Sequence, residues 1–139
     1  MFGAMLLFTL ALQIENRCND GFFQNSWALL REARYGHSQF ERAAFAVRTS
    51  DGRVEFVRWP VSPHALRADF EGAIPPNAFA IVHTHPNSCP VPSADDEEVA
   101  LRLHIPVYVV TRAGLARTTG RQLGFVAFGD WNPERCSRR

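Results

Sequence analysis

The chain carries little net charge, few cysteines and no hydrophobic run long enough to cross a membrane. Fifteen basic and 14 acidic residues leave a net charge of +1 over 139 residues, which gives no electrostatic reason to expect a nucleic-acid partner. The only basic cluster, Arg135, Arg138 and Arg139, lies at the C-terminus, where a solvated tail over 129–139 explains it as well as a binding patch does. Cys18, Cys89 and Cys136 are too few and too scattered for a disulfide framework and do not stand at zinc-finger spacing. Cys18 and Cys136 could bridge if the termini meet and the compartment is oxidising. Cys89 reads as a plain loop thiol. The apolar start, MFGAMLLFTLAL, is too short for a membrane span. It has the length of a signal-peptide core, but no Lys or Arg precedes it and no small-x-small cleavage site follows. Residues 1–13 are therefore expected to pack as an element of the domain, with the protein in the cytoplasm and export as the alternative.

A chain of this length, 46% hydrophobic and 21% charged, fits one globular domain over 1–139 rather than a disordered segment. Phe23, Trp27 and Leu30 recur at helical spacing within 22–36, and Gly36 is a plausible stop. Arg42 to Thr49 and Arg53 to Trp59 flank Asp51-Gly52, which is a hairpin signal. Pro60 and Pro63 close the second strand. Residues 64–71 form a short helix or loop, and Pro75-Pro76 mark a turn before an apolar run, Phe79 to Val82. Further on, 93–104 reads as a helix and Ile105 to Thr111 as a buried strand. Leu115 to Thr119 and Leu123 to Phe128 read as two short strands around Gly120. This order predicts an α/β domain with helices on a sheet.

The chemistry concentrates in Ala80 to Ala100, AIVHTHPNSCPVPSADDEEVA. The apolar run delivers His83, and strand alternation puts His85 on the same face. Pro86 ends the ladder because it has no backbone donor. After six intervening residues Ser93 opens an acidic helix start containing Asp96. Two imidazoles and one carboxylate make three corners of a tetrahedral site. The fourth is left for water, as in a catalytic rather than a structural zinc site. Each part also has a plainer explanation. Ser93 and Asp96 make a capping box, Asp95 to Glu98 suit the positive end of a helix dipole, and two strand histidines by themselves are weak evidence of metal.

The full spacing, His-x-His-Pro, six residues, Ser-x-x-Asp, resembles the JAMM motif of the MPN (Mov34/JAB) zinc metallopeptidases, with every motif position filled. The resemblance implies a single MPN domain, a curved mixed β-sheet flanked by helices and related in shape to cytidine deaminases. It implies one zinc ion per chain, held by His83, His85 and Asp96, with Ser93 stabilising the oxyanion. It further calls for a glutamate after the first helix as general base. Glu41 fits that place by element order, and Glu55, on the returning strand of the hairpin, is its rival. The compact length resembles the small prokaryotic JAB proteins, which implies a bacterial cytoplasmic enzyme. Its substrate would be a peptide or isopeptide bond in an extended tail, of a ubiquitin-like or a phage or toxin-type protein. Two other functions stay open: an inactive MPN scaffold, and a zinc amidase acting on non-protein amides. A nucleic-acid deaminase is not expected, because the His-x-Glu and Pro-Cys-x-x-Cys signature is absent.

Overall fold

Consecutive apolar residues in the central strands demand cover on both faces of a sheet, and the chain supplies it. In the computed structural model, residues 17–61, 68, 70–86 and 89–137 are described. Helix α1 (Phe22–Glu32) is followed by a 3-10 turn (Arg34–Gly36) and strands β1 (Ala43–Arg48), β2 (Val54–Arg58) and β3 (Ala78–Thr84). Helix α2 (Ala94–Leu103) then leads to β4 (Val107–Val110), β5 (Gly114–Thr118) and β6 (Leu123–Ala127), and two short helices follow, α3 (Phe128–Trp131) and α4 (Pro133–Ser137). The six strands form one mixed sheet in the order β2-β1-β3-β4-β5-β6. Only β3 and β4 run parallel, so their connection must cross over the sheet, and α2 is that crossover.

The two faces follow from alternation along each strand. Ala46, Ala80, Val82, Tyr108, Val110 and Leu115 pack with Phe22, Leu29 and Leu30 of α1. The intervening residues Phe45, Val47, Ile81 and Val107 pack with Ala100 of α2. Phe22 is fully buried, its ring 4.8 Å from that of Tyr108. The β5–β6 turn closes against α2 at Gly120. A side chain there would meet Leu101 and come within 2.7 Å of the Glu97 carbonyl oxygen, and the backbone sits at φ +84; both facts require glycine.

Three sequence boundaries move. The first helix ends at Glu32, not at Gly36, because Arg34 and Tyr35 both take left-handed backbone angles, φ 54 and 57. The fourth strand is shorter than 105–111, with Ile105 and Pro106 outside it. The expected tail over 129–139 is folded as far as 137: Phe128, taken as a strand end, opens α3, and Trp131 is fully buried. The Trp131 ring lies 5.7 Å from Trp27 and 6.3 Å from Phe23. Cys18 and Cys136 form a disulfide that ties α4 to the segment before α1. The apolar segment 1–13 lies outside the described residues, as does most of 64–71. No described helix is long and apolar enough to cross a membrane.

Candidate metal centre

Strand pairing brings the site together. β1 and β3 are antiparallel with Ala43 opposite His83. One step further, Thr84 donates its N–H to the Arg42 carbonyl at 2.9 Å, and its hydroxyl accepts the Arg42 N–H at 3.0 Å. This double link fixes Glu41 beside the end of β3, where His85 leaves the strand. Residues opposite one another on paired strands share a face, and alternation returns Glu41 to the face of Ala43 and His83. Ala43 is small, so His83 meets no bulk across the ladder.

The acid arrives from the other side. Ser93 is the N-cap of α2: its hydroxyl accepts the Asp96 N–H at 3.1 Å, while the Asp96 carboxylate accepts the Ser93 N–H at 2.7 Å. The capping box thus leaves the Asp96 carboxylate available as a candidate ligand. Asp96 Oδ1 lies 3.1 Å from Nε2 of His83 and Oδ2 lies 3.4 Å from Nε2 of His85. The two Nε2 atoms are 3.0 Å apart. Ligand atoms about 2.0–2.1 Å from a tetrahedral zinc stand roughly 3.3 Å from one another. These separations therefore fit a first-row metal with nitrogen and oxygen donors, and His83, His85 and Asp96 together could hold a metal ion. His85 has its second nitrogen occupied: Nδ1 is 3.0 Å from the Cys89 carbonyl. A carbonyl only accepts, so Nδ1 carries the proton and a neutral His85 turns the lone pair of Nε2 toward the group. Nδ1 of His83 is buried and makes no hydrogen bond among the described residues.

Electrostatics couple the carboxylate to both imidazoles. Burial works to raise the Asp96 pKa, but hydrogen bonds from His83 and His85 outweigh it and hold the carboxyl well below its usual range. Burial pushes His85 down, and the Asp96 hydrogen bond and charge, with Glu41 behind them, more than offset it, so its pKa is raised. For Glu41 burial is the largest effect and raises its pKa, although the two imidazoles pull the other way.

No protein-family model matches the chain, and no curated protein does.

The two candidate bases end up far apart. Glu41 lines a cavity of about 110 Å³ with His83, Asp96, Ile81, Val99 and Val107. Glu55 is exposed and pairs with Val47, four residues along β1 from the His83 partner, which is about 13 Å of strand. The structure therefore brings Glu41 to the ligands and leaves Glu55 at the hairpin end. Ser93 is exposed and reaches the centre through Asp96. Sequence reasoning missed two neighbours. Trp59, just past β2, and Asp95 both line the cavity; no spacing rule points to Trp59, and Asp95 read only as a helix-dipole charge. The carbonyl of Cys89 was also missed, because only its thiol was considered.

Proposed function

We propose that the protein is a zinc-dependent metallopeptidase that hydrolyses a peptide or isopeptide bond in an extended tail, of the kind the JAMM resemblance implies. The observation that carries this reading is the convergence of the His83, His85 and Asp96 donors, with His83 and Asp96 lining a cavity that Glu41 also lines. A purely structural metal site needs no half-buried carboxylate such as Glu41 beside it, whereas hydrolysis needs a base at that place. The two histidines and Asp96 would hold the metal. Zinc, when bound, supplies Lewis-acid polarisation of a carbonyl and lowers the pKa of a water toward neutrality. Glu41 takes the proton of the attacking water and returns it to the leaving amine. The Ser93 hydroxyl already accepts from the Asp96 N–H, which leaves its own proton free to donate to the developing oxyanion.

One observation favours a second reading. The Cys18–Cys136 disulfide is at home in an oxidising compartment. It gives weight to an exported zinc amidase acting on non-protein amides, with the same residues in the same roles.

The test is hydrolysis of a defined tail peptide. Activity should vanish on chelation, return with added zinc, and fall by about 10²–10⁴ in Glu41→Gln with metal content unchanged. Full activity in Glu41→Gln, or hydrolysis indifferent to chelation, refutes the reading.

A further inference from the structure

Across the sheet from the metal ligands, the α1 side carries an open aromatic groove. Two adjoining hollows of about 430 and 520 Å³ share Trp27 and Phe128. The Trp27 ring lies 5.6 Å from Tyr35 and 5.3 Å from Phe128. Tyr35 and Phe128 are each 37% exposed, so large rings are left at the surface. Tyr35 is held there against its backbone preference. It and Arg34 are successive non-glycine residues at left-handed angles, a conformation that side-chain-bearing residues rarely adopt and that persists only where the surroundings impose it.

The charge at the groove is mainly of one sign. Arg31 stands at one end, and Arg112 with His37 at the other, where Arg112 Nη1 lies 3.5 Å from His37 Nε2. Glu134 is the one acid lining it among the described residues, at the Arg31 end. Neither arginine pairs with a carboxylate among the described residues. All fifteen basic residues of the chain are arginine, and a guanidinium fork matches a carboxylate better than an ammonium does. The Arg112 end of the groove lies at the same end of the sheet as the candidate metal ligands. Val110 of β4 pairs with Thr84 of the parallel β3, so Arg112 and His85 leave the sheet at the same end.

We propose that this groove binds an extended peptide whose acidic side chains meet Arg112 and Arg31 and whose apolar side chains lie on Trp27, Tyr35 and Phe128. The peptide is the part of the substrate that flanks the cleaved bond, and this last clause rests on the peptidase reading. Aromatic and arginine side chains are the types that dominate binding energy at protein surfaces, and charge complementarity selects the acidic partner.

The test is fluorescence anisotropy on the full chain. The probes are a labelled peptide alternating glutamate with leucine and phenylalanine, and its lysine-for-glutamate counterpart. Zinc content and tail hydrolysis are measured on the same preparation. The acidic probe should bind saturably and at least tenfold tighter than the basic one. Arg112→Glu and Arg31→Glu, both at exposed positions, should each weaken it about tenfold without changing zinc content. Equal binding of the two probes, no saturable binding, or indifference to both substitutions overturns the proposal. So does a concentration-dependent dimer that Arg112→Glu dissolves while neither probe binds, since the face would then belong to a second copy. A chain that cleaves tails but ignores probe charge fails this inference alone. One that binds the acidic probe yet holds no zinc and cleaves nothing fails the peptidase reading and keeps the groove.

Discussion

Asp96 closes the capping box of α2 through its carboxylate and presents both oxygens to imidazoles. The same hydrogen bonds that fix the helix start therefore aim the acid at the histidines, and Ser93 is part of that fixture. Substitution at Ser93 separates the cap from the proposed oxyanion role. Ser93→Ala should cost about 1 kcal/mol in a denaturant melt of chelated protein, from loss of the cap, and should also lower turnover. Ser93→Asp keeps an N-cap acceptor but offers no proton, so it should recover the stability and not the turnover. Recovery of both by Ser93→Asp would show that the hydroxyl does no more than cap. The capping box was legible in the sequence because it depends on local spacing. The choice between Glu41 and Glu55 was not, since it depends on strand register. The Arg42–Thr84 link and the pairing of Glu55 with Val47 put one acid at the site and the other at the far end of β1.

At the scale of elements, the segments with strong periodicity appear where the sequence places them, and failures cluster where context overrides pattern. The first helix stops early because Arg34 and Tyr35 adopt left-handed angles, which no propensity favours in arginine or tyrosine. The C-terminal segment read as a tail because it is short, polar and arginine-rich. Its order comes from one residue, Trp131, inserted between Phe23 and Trp27, and from the Cys18–Cys136 bridge. Both are contacts across more than a hundred residues, invisible to a local window. The bridge closes a loop of 118 residues, so breaking it restores considerable freedom to the unfolded chain. Cys136→Ser should lower stability by about 2–5 kcal/mol, measured by chemical denaturation without reductant. An unchanged melting curve would mean that Trp131 alone holds α3 and α4 in place.

At the scale of the whole molecule, one mixed sheet separates two working surfaces. On the α2 face the parallel pair β3 and β4 frames the candidate metal ligands, and Glu41, just before β1, shares a cavity with His83 and Asp96. On the α1 face the aromatic groove opens toward the same end of the sheet. The central claim is that His83, His85 and Asp96 hold one catalytic zinc, and elemental analysis of the untagged chain tests it most directly, with His83→Ala and Asp96→Ala purified alongside. The account predicts close to one zinc per chain in the wild type and its loss in both variants. Absence of tightly bound metal from the wild type after zinc reconstitution would contradict it, and would leave a helix cap beside two strand histidines.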